Sequence, residues 1–80
     1  MNKAKRSRTN YRDDELLKAV GEKIRAARKS KGLTQENLAN QMEVDYSQIN
    51  RMELGKVNFT ISMLSRIAGE LDVHLTKLLP

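Results

Sequence analysis

The stretch Thr34 to Gly55, TQENLANQMEVDYSQINRMELG, decides the reading of this chain. Leu38, Ala39 and Met42 recur at the spacing that puts side chains on one face of a helix. Val44 falls in a turn, and Ile49 and Met52 share one face of a second helix. Neither helix is long enough to be stable alone in water, so other apolar faces of the chain must hold the pair at a crossing angle. Ala39 stands where the two approach most closely, and its methyl permits a crossing that a Leu would block. Thr34 is placed to cap the first helix and Asp45 the second, and Gly55 closes the pair.

The flanking sequence supplies the missing faces. Asp13 or Asp14 starts a helix in which Leu17, Val20, Ile24 and Ala27 form one stripe, with Leu16 beside it, running to about Lys31 before Gly32 ends it. After the loop Lys56-Val57-Asn58, Thr60 or Ser62 opens a fourth helix with Ile61, Leu64, Ile67, Ala68 and Leu71 on its apolar face. Asp72-Val73-His74 breaks that pattern, and Leu75, Leu78 and Leu79 predict a last short helix ended by Pro80. The expectation is an all-α domain of five helices over residues 13–80, with residues 1–12 as a separate basic arm.

Apolar residue, small Ala, apolar residue, turn, and apolar residues again at helical spacing make the helix-turn-helix pattern. The chain resembles the Cro/CI-type (XRE, lambda-repressor-like) regulators through Leu33-Thr34-Gln35, Leu38-Ala39, Val44, Ile49 and Glu53-Leu54-Gly55-Lys56. The match continues through Leu64, Ile67-Ala68 and Leu71 to Leu78-Leu79, covering roughly residues 15 to 79. It departs from them at Glu43, a turn position where relatives usually have Gly; a positive φ there costs a non-Gly residue about 1 kcal/mol. Phe59 also stands where relatives commonly have Pro, and as the only Phe it is assigned to core or interface.

The resemblance implies that the third helix lies in the major groove of double-stranded DNA. Tyr46, Ser47 and Arg51 are the first base contacts it implies, and Gln48 and Asn50 complete the outer faces of that helix. An Arg in Arg51's place binds guanine O6 and N7 bidentately, and a Tyr touches a thymine methyl. Each residue taken alone is also an ordinary polar surface position. Gln35 sits at a helix N-terminus suited to a phosphate and is either a phosphate donor or simply solvated. Lys56, with Asn58 nearby, matches the phosphate clamp beyond the reading helix. The resemblance further implies a structural ion pair between Arg28 and Glu53, which sequence spacing alone does not reveal.

Composition narrows the partners. The net charge is +5, but five basic residues, Lys3, Lys5, Arg6, Arg8 and Arg12, precede the first helix with only Asp13 to offset them. Residues 14–80 then carry ten basic and nine acidic side chains, so the folded part is nearly neutral. The arm is either a solubilising tail or a segment that follows DNA. With no cysteine there is neither a disulfide framework nor a thiolate metal site. His74 is the single histidine, too few ligands for a metal, and is read as a cap or surface residue. No phosphate-binding Gly loop or catalytic cluster points to an enzyme, and no cofactor is expected. No apolar run is long enough to span a membrane, and no export signal opens the chain. The expected setting is the cytoplasm, in a bacterial or phage-encoded protein.

One reading helix contacts too few base pairs for useful specificity, so a homodimer on two half-sites is expected. Phe59, Leu75, Leu78 and Leu79 are the candidate seam, although the leucines could equally close the monomer core. Among small relatives, phage repressors and restriction-modification controller proteins fit this layout, with control by protein concentration and dimer formation. The alternative is an antitoxin, with a toxin protein as partner and DNA binding serving autoregulation.

Overall fold

The computed structural model describes residues 12–80. Residues 1–11, which carry all of the expected arm except Arg12, lie outside the described residues. Four α-helices follow in order: α1 (Asp14–Ser30), α2 (Gln35–Met42), α3 (Tyr46–Glu53) and α4 (Ile61–Leu71). The expected fifth helix is a single 3₁₀ turn, Leu75–Leu78. Only four residues separate His74 from Leu79, and both flanking residues are extended, so there is no room for α-helical hydrogen bonding to propagate. No strand occurs among the described residues.

Local chemistry fixes the helix starts. The Asp13 carboxylate accepts from the Leu16 N–H at 3.1 Å, with Asp14 and Glu15 in the first turn of α1. At α2, Thr34 Oγ1 accepts from the Asn37 N–H at 3.0 Å and Asn37 Oδ1 accepts from the Thr34 N–H at 3.2 Å, a capping box with Asn in the usual Glu position. Thr60 Oγ1 accepts from the Met63 N–H at 3.0 Å to start α4. Asp45 is the exception. It occupies the N-cap of α3, yet its side chain makes no capping bond; its backbone carbonyl accepts from the Gln48 N–H instead. The exposed carboxylate still meets the positive end of the helix dipole.

All four helices end alike. A left-handed residue follows each one, and the next N–H bonds back to a carbonyl five residues earlier: Leu33 to Arg28, Val44 to Ala39, Lys56 to Arg51 and Val73 to Ala68. Two of the left-handed residues are Gly32 and Gly55, but the others are Glu43 at φ 58° and Asp72 at φ 61°. The strain anticipated at Glu43 is therefore present.

Val20 and Ile24 of α1, Leu38, Ala39 and Met42 of α2, Ile49 and Met52 of α3, and Leu64, Ile67, Ala68 and Leu71 of α4 form one core. Leu78 completes it. Fully buried there, it cannot belong to a surface seam, a correction to its expected place at a dimer interface. Its neighbour Leu79 is 40% exposed, while Phe59 and Leu75 are partly buried against the core. α1 packs on α3 at Gly21, where an added Cβ would lie 2.6 Å from the carbonyl oxygens of both Met52 and Glu53. Only hydrogen fits there, so this glycine sets the distance between the first helix and the end of the third.

Candidate nucleic-acid interface

Ile49 and Met52 bury one side of α3, and the periodicity of the helix then decides what the other side presents. Ser47 and Arg51 stand four residues apart on the face directly away from the core, and both are exposed. Tyr46 and Asn50 lie on the flank toward the start of α2; Tyr46 is 53% exposed and Asn50 half-buried. Gln48, also half-buried, is on the opposite flank. The five candidate readers thus occupy one continuous outer surface, with Ser47 and Arg51 at its centre.

What orients this surface is a buried polar chain. Arg28 Nε donates to Glu53 Oε2 at 2.6 Å and its Nη2 to Oε1 at 3.1 Å, a two-pronged contact between the last turns of α1 and α3. Its Nη1 donates to the Leu33 carbonyl at 2.7 Å, fastening the α1–α2 connection to the same point. Both side chains are more than nine-tenths buried. The Arg28 guanidinium is held above its ordinary pKa first by its hydrogen bond to Glu53; burial opposes that, and the Glu53 charge adds to it. It stays charged throughout the pH range in which proteins are handled. The chain then extends to α2: Gln35 Nε2 donates to Glu53 Oε1 at 2.9 Å and approaches Asn50 Oδ1 at 3.4 Å.

The amide of Gln35 is therefore turned inward, toward α3. At the N-terminus of α2 the Asn37 N–H is taken up by Thr34 Oγ1 and the Leu38 N–H by the Thr34 carbonyl, so the Gln35 and Glu36 N–H groups are the ones without a partner among the described residues, beside a shallow recess also lined by Lys29, Thr34 and Tyr46. Lys56 and Asn58 are exposed beyond the end of α3. Gly55 between them and the helix has φ +74°, and a Cβ there would meet the Lys18 Cα at 2.6 Å, so the loop leaves α3 pressed against α1.

Several contributors are not evident from the sequence. Arg66 of α4 donates through Nη2 to the Met42 carbonyl, holding the C-terminal end of α2. Gln41 Nε2 donates to Glu70 Oε1 at 3.1 Å across the same two helices. Neither pairing has a sequence signal, because both join helices whose crossing is set by the core. Gly21 did leave a signal: a glycine inside the α1 stripe, where it costs helix stability, needs a packing reason. Among the described residues no cluster of His, Asp or Glu is placed to hold a metal ion, and no helix is long and apolar enough to cross a membrane.

Two short helices joined by a turn, the second exposing a polar face and both braced by α1 and α4, define a helix-turn-helix DNA-binding protein. The helix-turn-helix family model HTH_3 matches residues 24–78, and the chain belongs to this family, that of the Cro/CI-type or XRE regulators. Its fold is similar to that of the restriction-modification controller protein C.AhdI from Aeromonas hydrophila, at 32% identity and a TM-score of 0.72 over 79% of this chain and 96% of that one. The DNA-binding domain of BldD is 25% identical with a TM-score of 0.80, over 86% of this chain and all of that one. A hypothetical transcription factor, NHTF, from Neisseria is 27% identical with a TM-score of 0.75, over 91% of this chain and 85% of that one. No curated protein matches the chain by sequence. The chain is thus a DNA-binding transcriptional regulator and not an enzyme.

Proposed function

We propose that the protein is a sequence-specific regulator that binds double-stranded DNA as a homodimer, with α3 in the major groove of each half-site. The observation that carries this reading is the outward pair Ser47 and Arg51 on a helix whose inner side is locked to α1 and α2 through Arg28 and Glu53. Arg51 takes a guanine edge, Tyr46 a thymine methyl, and Ser47 and Gln48 bases or nearby phosphates. Lys56, Asn58 and the backbone N–H groups at Gln35 hold phosphates and set the register.

The dimer follows from reach. Eight residues of α3 span about 12 Å, a few base pairs, whereas two copies read half-sites about 34 Å apart. With Leu78 committed to the core, the seam reduces to Leu79, Leu75 and Phe59. The similarity to a restriction-modification controller protein supports a small regulator of this kind.

The test is binding to the DNA upstream of the protein's gene against a shuffled fragment, across a salt series, with stoichiometry by mass. Tight binding to the upstream fragment alone, two chains per site, is expected. Equal binding to both with the same steep salt slope would reduce the protein to phosphate attraction. A single chain per site would remove the dimer.

A further inference from the structure

Asn50 has both a donor and an acceptor on its amide, and in the major groove an Asn that offers both to one base selects adenine. Its surroundings turn one of them back into the protein and the other outward. Glu53 is anchored by Arg28, and a carboxylate can only accept, so the Gln35 group 2.9 Å from Glu53 Oε1 has to be the NH₂. That nitrogen carries two hydrogens, and the second faces Asn50 Oδ1 at 3.4 Å. The amide oxygen of Asn50 is thereby turned toward Gln35. Its Nδ2 donates to no group among the described residues, and no buried side-chain nitrogen or oxygen there lacks a partner, so this nitrogen is at the surface.

We infer that Asn50 reads DNA as a donor only, its orientation set by Gln35 as a positioning residue, and that it selects a base-edge acceptor and rejects cytosine. This rests on α3 lying in the major groove. Guanine offers N7 and O6 there, adenine N7 and thymine O4, while cytosine presents its N4 amine, which meets Asn50 donor to donor. The same geometry engages both amide hydrogens of Gln35 within the protein, so Gln35 acts through Asn50 and Glu53, and only its backbone serves a phosphate. Specificity at one position of each half-site is then carried back through Gln35 and Glu53 to Arg28 on α1.

The experiment is enrichment of binding sequences from a randomised duplex library by the full chain and by Asn50→Asp, Asn50→Ala and Gln35→Met, each checked for folding by thermal unfolding. The wild type is expected to exclude cytosine at one position of each half-site by about tenfold. Asn50→Asp, an acceptor of the same shape, prefers cytosine there; Asn50→Ala, which adds no charge, loses the discrimination. Gln35→Met frees the amide to turn over and relaxes that same position while the others keep their preference. An Asn50→Ala motif identical to the wild type, with affinity lowered evenly on all sequences, would make Asn50 a phosphate contact and overturn the inference. So would a Gln35→Met profile as sharp as the wild type. A wild type that enriches no sequence refutes the DNA-reading function, and the inference falls with it.

Discussion

Replacing Gly21 with Ala is the most direct challenge to the packing that places α3. In an unencumbered helix the change stabilises by about 0.5 to 1 kcal/mol, because glycine loses more backbone freedom on folding. At Gly21 the new methyl would sit 2.6 Å from two backbone oxygens, those of Met52 and Glu53, and neither can rotate away. Accommodation requires α1 and the end of α3 to separate, which also stretches the contacts of the buried Arg28–Glu53 pair. Overpacking of a rigid site costs about 1 to 3 kcal/mol, and more where backbone must move. The upper part of that range applies, so the net loss after the helix gain is about 2 kcal/mol. For a domain of this size that lowers Tm by roughly 8 to 16 °C. Gly69 is the internal control: it lies on α4 with nothing within 4 Å of its added Cβ, so Gly69→Ala should be neutral or stabilise by up to about 1 kcal/mol. Urea unfolding of both variants at equal concentration decides the matter. A Gly21→Ala protein as stable as Gly69→Ala would refute the claim that this contact sets the distance between α1 and α3.

Other perturbations separate bracing from reading. Arg28→Met should destabilise by about 3 to 5 kcal/mol in denaturant titrations, since it strands a buried carboxylate, whereas Arg28→Met with Glu53→Met should recover at least half of that loss; a double variant as unstable as the single one would show that the pair's geometry, and not its charge, is what matters. Glu43→Gly relieves the left-handed strain at φ 58° and should stabilise by about 0.5 to 1 kcal/mol in thermal unfolding, without changing DNA affinity at fixed salt. On DNA, Arg51→Ala should cost about 1 to 3 kcal/mol on the preferred sequence and flatten preference at its base, whereas Lys56→Ala should weaken binding evenly across sequences and reduce the salt slope by about one; the reverse pattern would exchange their roles.

Much of the fold is legible locally. Helix starts and stops depend on groups within five residues of one another, which is why Thr34 with Asn37, Asp13 and Gly32 can be read from the chain. The apolar stripes likewise name nearly every core residue, because helical periodicity alone decides which side chains share a face. The same stripes could not separate Leu78 from Leu79 or count the last turn as a helix, since a four-residue segment has no periodicity of its own and takes its shape from the surface it meets. The composition of the α3 outer face was readable, but the orientation of its side chains was not.

From the sequence alone followed the helical elements, the turn, the core faces and the family resemblance, all products of short-range hydrogen bonding and period. Tertiary structure alone decided that Gly21 meets the carbonyls of α3, that Arg66 holds the end of α2, and that Gln35 turns inward to Glu53 and Asn50. The division has one cause: a charge or amide joins a partner 15 to 25 residues away only after the crossing angle of two helices has been set, and that angle comes from packing the whole core at once.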